Sequence, residues 1–362
     1  MSSPLICHRT GTEPFAYYHG KIISAGQYLS DVLQLSKELP IGSHVLNICN
    51  NRYAFMVGLG ASIIRNKISL LPSAVTTDTI EHLWKFAPDF FVISDHPPTI
   101  GVDEYIDPSQ HIGTETTAFD VPVINANQLI AYVFTSGSTG APIPHPKHWG
   151  SLVKNIKITS NKLDLPQGCS IIGTTPSQHM YGFESNILLT LLNGLILYDQ
   201  KPFFPADIAN ALNVAASPVV LVTTPFHLET LLNAEINLPQ IGRVICATAP
   251  LTVEIANRTE AAMARILHRA RALAPHTAVC IQLAHAGRKA SSALPWAGAQ
   301  LLTSTLGGWE TFGPSALPHL PDEPPPTAMT RAHMDTVRDA FVTAAQRADR
   351  MGVDAIELHG AH

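Results

Sequence analysis

The chain has 362 residues, which is long enough for two or more domains with a substantial buried core. Hydrophobic residues make up 46% of it and charged residues only 14%, so most elements are expected to be buried pieces of an α/β protein. The formal net charge of -5 provides no basic footprint, and nucleic acid is therefore not expected as a partner.

The cysteines and the apolar runs indicate the compartment. The 5 cysteines are scattered, without a Cys-x-x-Cys pair, so we expect reduced thiols and no metal site. The N-terminus lacks a basic segment followed by an apolar core, and the longest apolar run, from Ile187 to Tyr198, is interrupted by Thr190, Asn193 and Gly194. These features predict a cytoplasmic protein with no membrane partner, and they leave the oligomeric state open.

Strands and helices alternate over the first two thirds of the chain. Apolar spacing predicts helices over 24–39, 53–64, 77–86, 183–192 and 206–214, and strands over 44–48, 68–71, 90–94, 129–134, 169–174, 195–198, 219–223 and 244–247. This alternation predicts an α/β fold with an open, mostly parallel sheet and helices on both faces. Ligands in such sheets bind where loops leave the carboxyl ends of the strands.

A loop rich in hydroxyl groups and glycine follows the predicted strand over 129–134. Its residues are Thr135, Ser136, Gly137, Ser138, Thr139 and Gly140. Hydroxyl groups and bare backbone N–H groups in such a loop can surround one anion, as phosphate-binding nests do. The Gly-Lys-Ser/Thr ending of a Walker A motif is absent. A flexible Ser/Gly linker is the alternative interpretation, and the preceding strand favours the phosphate site.

This hexapeptide resembles the phosphate-binding signature of the adenylate-forming superfamily, the acyl- and aryl-CoA synthetases and their relatives. The resemblance covers about residues 15–263, and it implies ATP with Mg²⁺ and a small-molecule carboxylate as ligands, with 135–140 on the phosphates. Relatives have Pro-Lys directly after the loop, whereas the corresponding lysine here is displaced to Lys147.

Three later stretches also resemble family loops. Residues 174–182 resemble the Pro-x-x-His-x-x-Gly motif, which implies that His179 lies beside the acyl group and the ATP phosphates; alternatively, His179 is an ordinary surface histidine. Residues 223–227 resemble the next family loop, although Phe226 and His227 are also consistent with simple packing at a helix start. Residues 247–251 resemble the turn under the adenine, with alanines where relatives often carry glycine.

The pattern changes after about Met263. The Tyr-Gly-x-Thr-Glu stretch and the ribose-binding aspartate that the family implies next do not occur in residues 264–362. Instead, the spacing predicts a helix over 264–273, a strand over 278–284, a long Pro/Gly-rich connection and a helix that begins at an N-cap Thr330 and ends at Gly352.

Residues 281–290, 307–316 and 356–362 resemble, in order, three stretches of the old yellow enzyme family, the FMN-dependent ene-reductases. The resemblance implies FMN and NAD(P)H as cofactors, an enone substrate, and a βαβ fragment of a (β/α)8 barrel. It also implies that Gln282 bonds the flavin pyrimidine and that His359 and His362 hold the substrate oxygen, where two N–H donors stabilise the enolate-like charge. Alternatively, His359 only caps a strand and His362 is a chain end.

We therefore predict a chimera. Residues 1–263 form a partial adenylate-forming domain, and residues 264–362 form a partial FMN-oxidoreductase fragment. Three functions are open: an ATP-dependent ligase activity, FMN-dependent ene reduction if the missing barrel parts are supplied, and binding of nucleotide phosphates without catalysis. We expect the chain to be complete for neither of the two enzyme reactions.

Overall fold

The structure is a computed structural model that divides the chain into two compact units. It describes residues 2–72, 74–99, 101–102, 104–113, 118–136, 142–163, 165, 167–216, 218–234, 236, 238–239, 241–247, 264, 267–268, 271–272, 275, 278–291, 301–302, 308–318 and 323–359. The first unit comprises Met1–Thr135 with Pro144–Val244, and the second comprises Ser136–Ile143 with Ile245–His362. The predicted boundary at residue 263 falls outside the described residues and stays a prediction.

The described residues in the first part of the chain form eight strands, two of them paired in a hairpin, and three α-helices. Its elements are β1 (Ser2–Pro4), β2 (Pro14–Tyr18), β3 (Lys21–Ser24), α1 (Ala25–Glu38), β4 (His44–Asn47), α2 (Arg52–Ile64), β5 (Ile68–Leu71), α3 (Thr77–Phe86), β6 (Phe91–Ile93), β7 (Tyr105–Ile106) and β8 (Val123–Asn125). The predicted helices and strands up to residue 94 are confirmed, with ends that shift by a few residues.

The hairpin of β2 and β3 is an addition to the predicted parallel pattern. The two strands pair in antiparallel register, and the turn between them places His19 at φ 48° and Gly20 at φ 77°. Two successive positive φ angles match the twist of the flanking strands, which is why tight hairpins use them. Only Gly20 signals this turn in the sequence.

The alternation of strands and helices continues along the chain after β8. Its elements are β9 (Leu129–Ser136), β10 (Pro142–His148), α4 (Trp149–Leu163), β11 (Ser170–Gly173), α5 (Met180–Gly182), a π-helical segment (Phe183–Leu188), α6 (Leu189–Asn193), β12 (Ile196–Leu197), α7 (Pro205–Val214), β13 (Val219–Thr223), α8 (Pro225–Asn233) and β14 (Arg243–Ala247). Parallel strands are distributed over two sheets. One has the order β10-β9-β5-β4-β6-β7, and the other includes the order β13-β11-β12-β2-β3.

Parallel pairing places the ends of three strands at one edge of the second sheet. Ser170 of β11 stands opposite Ile196 of β12 and opposite Val219 of β13. The carboxyl ends of these strands therefore lie side by side, which is where open α/β sheets bind ligands.

The helix predicted over 183–192 is interrupted by a π-helical segment. Thr190 donates its hydroxyl to the carbonyl oxygen of Asn186 at 2.7 Å, within the wider turn. The buried Asn186 amide also donates to the hydroxyl of Thr175 at 3.2 Å. Wider turns of this kind are often associated with functional sites, and this one follows directly on the loop that carries His179.

The second unit contains the predicted βαβ arrangement. Its elements are β15 (Ala278–Ala284), β16 (Phe312–Gly313), β17 (Thr327–Ala328), α9 (Arg331–Arg350) and β18 (Ala355–His359). β15 and β18 pair in parallel, with α9 between them in the chain. The N-cap at Thr330 is confirmed, since its hydroxyl accepts the N–H of His333 at 3.2 Å. The described strands do not form a closed barrel, and the predicted helix over 264–273 lies largely outside the described residues.

The described residues contain neither a membrane-spanning helix nor a metal-binding cluster. No helix there is both long and apolar enough to cross a membrane. No group of three or more His, Cys, Asp and Glu side chains in that part of the chain is placed to hold a metal ion.

Candidate functional site

Three loops at the carboxyl edge of the second sheet bring together residues that are far apart in the sequence. The loop after β11 carries His179, the loop after β12 carries Lys201, and the loop after β13 leads into α8 with His227. We name this group of three basic side chains the basic cluster. Its position at the carboxyl ends of neighbouring parallel strands makes it the candidate site of the first unit.

Arg52 ties two of these loops together. It is the first residue of α2 and is only 1% exposed. Its guanidinium donates to the carbonyl oxygen of Thr175 at 2.7 Å and to the carbonyl oxygen of Gln200. Thr175 lies in the loop after β11, and Gln200 lies in the loop after β12. The planar guanidinium of Arg52 therefore holds both loops against the start of α2.

A buried carboxylate offsets the cost of the charge on Arg52. A cation at the first turn of a helix opposes the helix dipole, and burial lowers the pKa of Arg52 to about 10 while nearby Asp199 favours the charged form. Asp199 is 2% exposed and accepts hydrogen bonds from the backbone N–H of His19 at 3.1 Å and from the side chain of Asn51 at 2.9 Å. The helix start, the hairpin turn and the β12 loop are therefore joined by one charge network.

His179 lies in the first loop, directly before α5. Its carbonyl oxygen accepts the N–H of Phe183 at 2.7 Å, which fixes the backbone, while its ring reaches solvent. Partial desolvation lowers the pKa of His179, and the charge of Lys201 lowers it further. The imidazole is therefore neutral near pH 7, and each neutral ring carries one N–H donor and one acceptor nitrogen.

Lys201 and His227 complete the basic cluster. Desolvation is the larger cause that lowers the pKa of His227, followed by the charge of Lys201; the pKa of Lys201 is itself lowered by desolvation and by Arg52. Nδ1 of His227 lies 2.8 Å from the hydroxyl of Thr224. Its Nε2 is buried and has no hydrogen-bond partner among the described residues.

Two aromatic rings stand beside this cluster. Phe203 is 50% exposed and Phe226 is 59% exposed. Their ring centroids lie 5.1 Å and 5.5 Å from that of His227, both nearly edge-on. The loop after β12 therefore reaches the start of α8, and apolar surface adjoins the basic side chains.

Neutral hydrogen bonds hold the loops of the site in place. The hydroxyl of Tyr181 donates to the carbonyl oxygen of Thr223 at 3.1 Å, and the hydroxyl of Thr174 donates to that of Thr223 at the same distance. These bonds join the ends of β11 and β13. The backbone at the ends of these two strands is therefore held in a fixed position.

The predicted phosphate loop is described only at its start. Thr135 and Ser136 form the end of β9, while Gly137, Ser138, Thr139 and Gly140 lie outside the described residues. Lys147 lies on β10 and is half-buried. The roles predicted for these residues therefore stay predictions.

The residues predicted for the flavin lie in the second unit. On the paired strands, Gln282 stands opposite Glu357, and His359 stands opposite Ala284. Gln282 and His359 are thus two register positions apart, and His362 lies outside the described residues. Ile356 is 40% exposed and Leu358 is 68% exposed. Those two residues lie on the sheet face opposite to that of Gln282, because side chains alternate along a strand. On the face of Gln282, Glu357 is exposed, so the described part of that face does not enclose a flavin ring.

Sequence reasoning missed Arg52 and Lys201. An arginine at the start of the otherwise apolar helix α2 is the signal that was available, because a cation there opposes the dipole and needs a compensating partner. Lys201 carries no such signal. Its importance depends on strand order, which brings the ends of β11, β12 and β13 together.

Comparison with known proteins adds family information to this geometry. Residues 28–289 match the family model described as AMP-binding enzyme. A 4-coumarate–CoA ligase from Rhodobacter capsulatus is 30% identical over 169 residues, which cover 45% of this chain and 42% of that protein. The match therefore spans less than half of the ligase.

Solved structures of ligases share the fold. An o-succinylbenzoate CoA synthetase from Bacillus subtilis aligns with a TM-score of 0.56 at 13% identity, covering 69% of this chain and 54% of that one. A malonyl-CoA ligase, in a complex with methylmalonyl-CoA and AMP, aligns with a TM-score of 0.60 at 16% identity, covering 76% and 59%. At these identities the likeness concerns the fold alone.

A different set of relatives matches a shorter stretch. An NADH:flavin oxidoreductase from Gibberella zeae is 41% identical over 86 residues, covering 23% of this chain and 21% of that protein. An NADPH dehydrogenase from Geobacillus thermodenitrificans is 40% identical over 85 residues, covering 24% and 21%. The chain thus spans about a fifth of these oxidoreductases, and both predicted resemblances are confirmed.

Proposed function

Because the chain belongs to the AMP-binding enzyme family, we propose that it binds ATP and a small-molecule carboxylate for an adenylation reaction. A carboxylate oxygen forms a bond to the α-phosphorus of ATP while the bond from that phosphorus to the bridging oxygen of the β-phosphate breaks. The products are an acyl-adenylate and pyrophosphate. The observation that carries this proposal is the family match over residues 28–289, which includes all three loops of the candidate site.

Each residue of the proposed site has a separate task. The hydroxyls and backbone N–H groups of 135–140 hold the phosphates, with Lys147 as an additional cation. His179 lies beside the acyl group, where its neutral ring donates or accepts one hydrogen bond. Arg52 touches neither substrate in this scheme and acts by holding the loops after β11 and β12 in place. Mg²⁺ belongs with ATP as part of the substrate.

We further propose that the chain is a chimera that carries out binding better than turnover. Similarity to ligases in one stretch and to flavin oxidoreductases in another supports this proposal. The magnesium and ribose motifs expected after residue 263 do not occur in the sequence. We therefore expect weak ATP binding, with a Kd of about 1 mM, which corresponds to a binding free energy of about 4 kcal/mol in magnitude.

FMN-dependent ene reduction is the second candidate. The parallel pair of β15 and β18, with Gln282 and His359 two register positions apart, favours it. Glu357, which pairs with Gln282 on the same face, is exposed, and this argues against an enclosed flavin site in this chain alone. The activity therefore requires further barrel parts, with NAD(P)H as reductant and an enone as substrate.

Calorimetry with ATP tests the first proposal. We expect weak binding to the unaltered chain and its loss on Ser138→Ala combined with Thr139→Ala. Ser151→Ala combined with Thr159→Ala, two exposed positions on α4, is the matched control and should bind like the unaltered chain. Submicromolar affinity would contradict the expected weakness, and unchanged binding by the loop variant would place the nucleotide elsewhere.

A further inference from the structure

The first sheet carries a histidine–aspartate pair that the proposed function does not use. The loop after β6 contains Asp95 and His96, and the loop after β4 leads into α2. β4 and β6 pair in parallel, with Asn47 opposite Ile93. The two loops therefore leave the carboxyl edge of this sheet side by side, and parallel sheets place their functional groups at that edge.

The carboxylate of Asp95 is held in place by the backbone. One of its oxygens accepts the N–H of Asn50 at 2.9 Å, and the other accepts the N–H of Asn51 at 2.7 Å. Asn51 is the N-cap residue of α2, and a helix dipole favours a negative charge at that end. Because both oxygens are bonded and only 13% of the Asp95 side chain is exposed, the carboxylate keeps one orientation.

This carboxylate selects the tautomer of His96. Nδ1 of His96 lies 2.8 Å from the carboxylate of Asp95. The hydroxyl of Ser94 donates to the carbonyl oxygen of His96 at 2.6 Å, so its own oxygen can accept the ring proton at 3.3 Å. The side-chain nitrogen of Asn50 is also 3.3 Å from Nδ1, but a charge-assisted hydrogen bond is roughly twice as strong as a neutral one. Nδ1 therefore carries the proton, and Nε2 carries a lone pair.

The unprotonated nitrogen of His96 is accessible to a reactant. No described residue forms a hydrogen bond with Nε2, and 39% of the His96 side chain is exposed. His44 and Asp89 form a second pair of this kind. Only 20% of the His44 side chain is exposed, and its ring centroid lies 6.3 Å and 6.5 Å from those of Phe86 and Tyr132. Of these two pairs, His96 is the one that offers its second nitrogen to solvent.

We propose that His96 is a nucleophile that transfers acyl groups from small activated esters to water, with Asp95 as its positioning residue. Nε2 forms a bond to the acyl carbon, while the bond from that carbon to the leaving oxygen breaks and the leaving group departs as an oxyanion. The resulting acyl-imidazolium is cationic, and the bonded carboxylate of Asp95 stabilises it. Water then adds to the acyl carbon and the bond to Nε2 breaks. A carboxylate is released, and both protons of the water pass to solvent.

This reaction goes beyond the proposed function, because it requires no nucleotide. Its failure would leave ATP binding untouched, and loss of ATP binding in the phosphate-loop variant would leave the reaction of His96 untouched. The two proposals are therefore tested separately.

Site-resolved acylation of the full chain tests the nucleophile. Diethyl pyrocarbonate acylates unprotonated imidazoles, and mass spectrometry of peptides measures the rate at each histidine. We expect His96 to react about ten-fold faster than His82, equivalent to about 1.4 kcal/mol of activation free energy. His82 is the reference within the same molecules, because its Nδ1 lies 2.6 Å from the backbone carbonyl oxygen of Asp78, a neutral partner.

Variants of Asp95 separate positioning from a general effect on the fold. Asp95→Asn should lower the rate at His96 to that at His82 and leave the rate at His82 unchanged. Asp120→Asn, at an exposed carboxylate, is the matched control and should change neither rate. Partial unfolding would raise the rate at His82 as well, and thermal melting of each variant measures it. Equal rates at the two histidines of the unaltered chain, or a rate ratio that Asp95→Asn leaves unchanged, would overturn the proposal.

Turnover of p-nitrophenyl acetate tests the whole reaction. His96→Gln should lower the steady release of p-nitrophenolate by about half, because His96 then reacts like about ten ordinary histidines and the chain has 17. His82→Gln should leave the release within about a tenth of its value for the unaltered chain. If His96→Gln and His82→Gln lower the release equally, or if His44→Gln alone lowers it, His96 is not the nucleophile.

Discussion

The guanidinium of Arg52 donates a hydrogen bond to the carbonyl oxygen of Thr175 at 2.7 Å, although 123 residues separate the two in the chain. This contact joins the start of α2, which follows a strand of the first sheet, to the loop that leaves the second sheet. Both elements belong to the first unit. The position of His179 therefore depends on a residue from a different sheet.

We expect Arg52→Met to lower the free energy of unfolding by about 3 kcal/mol, because buried carbonyl groups that lose their donor each cost about 1–3 kcal/mol. The buried Asp199 also loses its nearby cation. Urea denaturation measures the change. Arg65→Met is the control, since exposed Arg65 donates a comparable bond to the carbonyl oxygen of Ser36 at 3.0 Å and should cost less than about 1 kcal/mol. Equal losses of unfolding free energy in the two variants would show that the buried Arg52 contacts stabilise the chain no more than the exposed Arg65 contact does.

Tyr53→Phe should destabilise the chain in a pH-dependent way. The hydroxyl of Tyr53 donates to the carboxylate of Asp31 at 2.6 Å, and both residues are buried. Burial raises the pKa of Asp31, and the bond from Tyr53 opposes that rise. Removing the hydroxyl raises the folded-state pKa further. Between the unfolded-state pKa of Asp31 and its raised folded-state pKa, the folded state binds more protons than the unfolded state. The free energy of unfolding therefore falls as pH rises through that interval.

The expected loss for Tyr53→Phe is about 2 kcal/mol near pH 7 and smaller near pH 4, since hydrogen bonds to charged groups contribute about 1.5–3 kcal/mol. Tyr28→Phe is the matched control. Its buried hydroxyl donates to the neutral carbonyl oxygen of Met56 at 3.1 Å, so its removal should cost about 1 kcal/mol at either pH. A pH-independent loss for Tyr53→Phe would contradict the assigned partner.

Asp89→Asn should remove an acid-sensitive contribution to stability. The carboxylate of Asp89 accepts the N–H of Ser43 at 2.6 Å and lies 2.7 Å from Nδ1 of His44. The bond from Ser43, followed by that from His44, lowers the pKa of Asp89 from 3.8 to about 2. A lowered folded-state pKa means that this stability is present above about pH 4 and is lost as pH falls toward about pH 2.

Urea denaturation across that interval tests the role of Asp89. The variant should be less stable than the unaltered chain near pH 5, and the two should converge near pH 2. Because Asp89 is 42% exposed, solvent screening keeps the difference small. Asp120→Asn, at another exposed carboxylate, is the control and should show no such convergence. A difference that persists at pH 2 would contradict the predicted linkage.

We expect the purified chain to be colourless and to leave cyclohexenone unreduced. Each hydrogen bond from Gln282 to a flavin contributes about 1 kcal/mol net, whereas immobilising a ligand costs about 4–15 kcal/mol. Glu357, on the same sheet face as Gln282, is exposed, so the described part of that face provides no enclosure to offset the cost. Absorbance spectroscopy measures bound flavin. A yellow preparation that NADPH bleaches, and whose activity is lost on His359→Ala, would show that a working flavin site assembles.

Local sequence patterns were sufficient for much of the fold. Period-two and period-3.6 spacing correctly indicated most strands and helices, including the α9 helix from its N-cap Thr330 to Gly352. They missed β10, whose residues Pro142, Pro144 and Pro146 read as a loop. β10 is an edge strand of its sheet, and edge strands tolerate proline because one side of the backbone needs no ladder bond.

The sequence by itself determined the alternation of strands and helices, the family resemblances and the candidate role of His179, because these depend on neighbouring residues. Only the tertiary structure decided which residues lie on the loops beside the one that carries His179. Arg52, Lys201 and His227 come from separate parts of the chain. Parallel pairing aligns the ends of β11, β12 and β13, and Arg52 bonds to the loops after β11 and β12. Strand order arises from long-range packing, and no local spacing of residues encodes it.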